Sequence, residues 1–167
     1  LAFTSAPVSD TLKLEGPVTA GIWFETTGSD ADIVVKLIDV YPDDFRYSKD
    51  VASRLRRPDY QMGGYQMLVR GDIFRLRYRE GYGEPVPARP GKPVKVEFTL
   101  DDVAHWLLPG HRLMIQIQSS WFPLADLNPQ TFVDNIYHAA SDDYVPATMT
   151  VYHQKNRASY VLLPVME

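Results

Sequence analysis

Apolar residues in this chain fall at every second position over run after run, and Pro or Gly stands between the runs. Side chains of a strand point alternately to its two faces, so this period dictates strands that bury one face and wet the other. Val18, Ala20, Ile22 and Phe24 alternate with Thr19, Gly21, Trp23 and Glu25. Val94, Val96 and Phe98 are set against Lys95 and Glu97, and Leu113, Ile115 and Ile117 against Arg112, Met114, Gln116 and Gln118. Residues 71–79 interleave Phe74, Leu76 and Tyr78 with Ile73, Arg75, Arg77 and Arg79. Residues 32–41 are apolar at nearly every position around Lys36, as in a strand covered on both faces. Two further strands are read over 148–153 and 160–165, separated by the turn-forming Lys155-Asn156-Arg157.

Gly16-Pro17, Gly28-Ser29-Asp30, Pro90-Gly91 and Pro109-Gly110 supply turns between the runs. About eight strands punctuated in this way define an all-β fold, a jelly-roll β-sandwich. Helix is expected only as a turn or two within 44–57 and one short turn over 101–106 capped by Asp101. Residues 50–66 and 125–145 follow neither period and read as long loops.

A chain of 167 residues makes one domain, 1–167, and buries a full core without staples. It has no cysteine, which excludes disulfides, thiolate metal sites and a cysteine nucleophile. The net charge of −4 argues against nucleic-acid binding, and no apolar run reaches the ~20 residues of a membrane-spanning helix. The opening Leu1-Ala2-Phe3-Thr4 has no initiator Met and no signal-peptide pattern, so the chain reads as a piece of a longer protein.

Catalytic patterns fail one after another. A serine nucleophile on a strand-to-helix elbow needs flanking glycines, and Ser119-Ser120 run instead into Trp121-Phe122-Pro123. Those hydroxyls are expected to satisfy backbone groups where a strand ends. His105, His111, His138 and His153 show no metal-ligand spacing, and His111, entering a strong strand, reads as a structural hydrogen-bonding group. Asp30, Asp32, Asp43, Asp44, Asp142 and Asp143 stand in turns, where a carboxylate caps its own backbone more readily than it binds calcium. No metal or cofactor is expected. Trp23, Trp106, Trp121, Phe122 and the tyrosines could stack on sugar rings, which keeps a carbohydrate-binding module of a secreted enzyme as the alternative function.

Four stretches together resemble a known family. They are 14–18 leading to Thr27-Gly28-Ser29-Asp30-Ala31-Asp32 and 35–40; Gly71-Asp72-Ile73-Phe74-Arg75-Leu76-Arg77-Tyr78-Arg79-Glu80; Gly110-His111-Arg112-Leu113 leading to Ser119-Ser120-Trp121-Phe122-Pro123; and Asn128-Pro129-Gln130-Thr131. Their order and spacing are similar to those of the C-terminal domain of the X-prolyl dipeptidyl-peptidase superfamily, with cocaine esterase, α-amino acid ester hydrolases and glutaryl-7-aminocephalosporanic acid acylases among its members. The resemblance implies a galactose-binding-like jelly roll behind an α/β-hydrolase domain and a helical cap that carry the Ser-Asp-His triad. No catalytic residue then falls in this chain. It implies packing against those upstream domains and leaves a homo-oligomer of the longer protein open. Leu127 stands where the family often has a basic residue, so the usual charge contact of that loop is not expected. The interdomain contact is placed on the arginine face of Arg75, Arg77 and Arg79 together with Ser120, Trp121, Phe122, Pro123 and Asn128.

Overall fold

The computed structural model describes residues 1–56 and 61–166. Among these described residues nine strands form: β1 (Ala2–Thr4), β2 (Leu12–Thr26), β3 (Asp32–Val40), β4 (Gln66–Arg75), β5 (Val94–Leu107), β6 (Arg112–Gln118), β7 (Met149–Gln154), β8 (Arg157–Ala158) and β9 (Tyr160–Leu162). They lie in two antiparallel sheets, β1-β6-β3-β4 and β5-β2-β7-β8, with β9 also paired to β2. This is the expected β-sandwich. Its core is filled by the inward row Val18, Ala20, Ile22 and Phe24 that the period-two reading assigned, together with Ile33, Val35 and Leu37 of β3, the strand expected to be covered on both faces. Phe74 of β4 and Phe98 of β5 stack at 5.1 Å and link the two sheets along one edge.

Helix is as sparse as expected. The single α-helical turn among the described residues, α1 (Lys49–Ala52), is capped by Ser48, whose hydroxyl accepts the Val51 N–H. Arg57, the expected end of this stretch, lies outside the described residues.

Three local expectations are corrected, two of them at one place. Residues 101–106 are strand, not helix, and Gly16-Pro17 is a bulge, not a chain reversal. β5 pairs with β2 on both sides of an irregularity, Gly16 with Val103 and Val18 with Leu100. Asp101 and Asp102 therefore oppose Pro17 alone, which has no N–H to give to a ladder. Gly16 takes φ 119° there, a conformation that suits glycine. Continuing the strands beyond this bulge buries Leu14, Val103 and Leu107, and that burial outweighs the local capping tendency of Asp101.

The other correction concerns 71–79. The strand stops at Arg75, and Leu76–Tyr78 turn as a 3-10 helix. That turn breaks the outward alternation of the arginines.

Candidate functional site

The segment that follows β6 crosses the outer face of the first sheet. Gly71 of β4 leaves room for the Trp121 indole to lie there, since a Cβ at Gly71 would stand 2.6 Å from Trp121 Cη2. Lys36 of β3 places its Nζ 4.4 Å from the same ring centroid. Desolvation at this spot lowers the Lys36 ammonium pKa. Beyond Trp121 the chain turns outward through a cis Phe122-Pro123 bond. Phe122 is 66% exposed and Leu124 71% exposed, and Leu127 and Tyr137 stay open to solvent as well. Ser120 accepts the Phe122 N–H, the backbone role expected for a hydroxyl at a strand end.

A buried polar network lies at the base of this segment. Arg77, 3% exposed, donates from Nε to Asp30 Oδ2 at 2.8 Å and from Nη2 to the Val133 carbonyl at 2.8 Å. Its guanidinium carbon also stands 4.7 Å from the Phe132 ring centroid. Arg75 Nη1 is 3.3 Å from Asp32 Oδ2. Asn128 donates to Asp32 Oδ1 and accepts the Gln130 N–H. The Gln130 carbonyl in turn accepts the N–H groups of Ser29 and Asp30. Burial raises the Asp32 carboxyl from 3.8 to about 6, against the opposing pull of Arg75 and the Asn128 hydrogen bond.

The expected arginine face is thereby corrected. Arg77 points inward to Asp30, Arg75 leans on Asp32, and Arg79 donates to the carbonyls of Leu76, Val86 and Pro87. Each guanidinium is thus engaged within its own domain, using the fork of donors that suits arginine to such a task. Asn128, 6% exposed, is also an internal anchor and not a surface contact. Trp121, Phe122 and Pro123 remain at the surface end of the site.

Sequence reading missed the partners of the arginines. Asp30 and Asp32 looked like turn carboxylates, and both are almost fully buried. Their signal was present in the Asp-x-Asp spacing at the start of an apolar strand, opposite Arg75 and Arg77. His111 behaves as expected: its Nδ1 lies 2.7 Å from Asp39 Oδ1, and His105 Nε2 lies 3.0 Å from the other oxygen. Among the described residues no group of three or more His, Asp or Glu side chains is placed to hold a metal ion.

The fold and this site define a class: a β-sandwich accessory domain with a stiffly backed apolar surface loop. Residues 1–162 match the family described as the X-Pro dipeptidyl-peptidase C-terminal non-catalytic domain, and the chain belongs to that family. It is 25% identical to cocaine esterase from Rhodococcus sp. (strain MB1 Bresler), over 100% of this chain and 25% of that protein. Among solved structures, an α-amino acid ester hydrolase superposes with a TM-score of 0.89 at 43% identity, over 99% of this chain and 25% of that one. An aminopeptidase from the marine sediment archaeon Thaumarchaeota archaeon superposes equally well, with a TM-score of 0.89 at 39% identity, over 100% of this chain and 26% of that one. The chain thus spans about a quarter of the length of these relatives.

Proposed function

We propose that the chain seats on the catalytic α/β-hydrolase domain of a longer serine hydrolase and helps to wall its substrate cleft. The observation that carries this reading is the exposed run Phe122, Leu124 and Leu127 beside the half-buried Trp121, backed by the buried Asp30–Arg77 and Asp32–Asn128 contacts. Exposed apolar residues that are also rigidly held fit an interface whose complementary surface lies in another domain. Arg75, Arg77 and Asn128 serve it from behind by fixing the loop, Arg79 ties together residues 76–87, and Ser120, Trp121, Phe122 and Pro123 form the contact.

The parent reaction in this reading is acyl transfer from an ester or amide to water through a serine acyl-enzyme, with the triad upstream. The esterase and ester-hydrolase relatives favour the ester, and the aminopeptidase keeps the amide within reach. Acylase and X-Pro dipeptidyl-peptidase activities are finer readings of the same chemistry, as galactose-binding-like is of the fold.

The test is a Phe122→Asp/Leu124→Asp variant of the longer protein followed by hydrogen exchange. Loss of protection at the domain boundary with the sandwich strands still protected is the expected result. Unchanged protection at the boundary would show that the loop faces solvent in the whole protein.

A further inference from the structure

The outer face of the second sheet carries a different pattern. Register places Lys95, Trp23 and Tyr152 in one cross-strand row, and Glu97, Gly21 and Tyr160 in the next. These rows face away from the core, because their neighbours Ile22, Phe24 and Val96 fill it. The Tyr160 ring lies flat over Gly21, where any Cβ would strike it. Farther along, beyond the bulge, Trp106 pairs with Lys13 on the same face and is 62% exposed. Ten residues separate Lys13 from Trp23, so the aromatic groups span roughly 30 Å of strand.

Polar groups fill the spaces between the rings. Tyr160 Oη donates to Glu97 Oε2, and Tyr152 Oη donates to Glu25 Oε2. Lys95 Nζ rests 5.0 Å from the Tyr160 ring and the Arg157 guanidinium 5.0 Å from the Tyr152 ring. Lys13, Lys95 and Arg157 stand against Glu15, Glu25 and Glu97, and Asp101 and Asp102 are exposed at the bulge, so this sheet has no excess of positive charge. A polyanion has nothing to hold it there, and a protein partner would meet mostly charged groups between the rings.

We propose that this face binds a neutral oligosaccharide, a function separate from docking and on the opposite side of the sandwich. The negative face of an aromatic ring attracts the positively polarised C–H bonds on one side of a pyranose. Carboxylates accept and cations donate hydrogen bonds to the equatorial hydroxyls at its edge. Lys95 and Arg157 swing off the tyrosine rings as the sugar stacks and remain beside it as donors. A few well-placed polar groups around aromatic surface are the general make-up of a small-ligand site.

Affinity electrophoresis of the chain through gels containing xylan, barley β-glucan or galactomannan tests this, with cellohexaose titrated against tryptophan fluorescence. Retardation in at least one gel is expected. Trp23→Ala and Tyr152→Ala should each weaken it about tenfold, the weight of one aromatic stacking contact. Circular dichroism checks the fold of Trp23→Ala, and Tyr152→Ala, at the margin of the sheet, repeats the test at a second position. Phe122→Asp, on the docking loop, should leave retardation unchanged, which separates this inference from the preceding one. Free migration in all three gels with no fluorescence response to cellohexaose overturns the proposal. So does retardation that survives both aromatic substitutions, or self-association of the chain that Trp23→Ala abolishes without any glycan binding.

Discussion

Replacing Arg77 with Met removes one half of an ion pair whose other half, Asp30, has no exposed surface. The Arg77→Met side chain fills similar space but leaves the Asp30 carboxylate with only the Ala31 N–H as a donor among the described residues. Breaking a buried pair from one side costs about 3–5 kcal/mol, because a desolvated charge is left without compensation. The Val133 carbonyl and the Phe132 ring lose their partner in the same step. Against a total stability of about 5–15 kcal/mol, this takes about a fifth or more of what holds the domain folded. In a domain of this size it lowers Tm by about 10 °C. Replacing both members, Asp30→Leu with Arg77→Met, removes the stranded charge and should recover most of the loss. The coupling between the two substitutions is then at least about 2 kcal/mol. Urea unfolding followed by tryptophan fluorescence and circular dichroism measures all three variants. A loss below about 1 kcal/mol for Arg77→Met, or single losses that simply add in the double variant, would refute the view that this pair holds the loop.

Other residues give equally direct expectations. Asp32 has a folded pKa of about 6 against an ordinary 3.8, so the folded state holds its proton more tightly than the unfolded chain does. Its contribution favours folding below about pH 4 and is lost as pH rises through about 6, a difference of about 2–3 kcal/mol. The Asp32→Asn variant should lack that part of the pH dependence, measured as unfolding free energy at pH 4.5 and pH 7; parallel curves would contradict it. Gly71→Val drives a side chain into Trp121 and should cost about 1–3 kcal/mol while exposing the indole to quenching by acrylamide. His111→Ala leaves Asp39, 2% exposed, with His105 as its remaining imidazole partner and also removes a ring packed 4.5 Å from Tyr41. Chemical denaturation should show a loss of about 2–4 kcal/mol, and a neutral outcome would rule out a structural part for this histidine.

The strands were legible because burial on one face imposes a two-residue period that survives any choice of individual side chain. Val18 to Phe24 and Leu113 to Ile117 show it without interruption, and both lie in strands with those residues facing the core. What escaped the sequence was settled by contacts distant along the chain. Whether Pro17 makes a turn or a bulge depends on Asp101 and Asp102 lying opposite it, more than eighty residues later. Whether Arg77 points out or in depends on Asp30, 47 positions earlier, being free to meet it in the interior. The apolar residues after β6 were legible, since Trp121 and Phe122 stand out in any reading, and Phe122 is exposed. The exposure of Tyr137 was not legible, because residues 125–145 follow no period that would mark an exposed side.

The central claim is that this domain shapes a catalytic site it does not contain. Hydrolysis of an activated ester, such as p-nitrophenyl acetate, by this chain and by the longer protein tests that claim most directly. Turnover by the longer protein alone, weakened by Phe122→Asp/Leu124→Asp, is the expected result. Turnover by the chain itself, above the rate in buffer, would place a nucleophile within these residues and contradict the account.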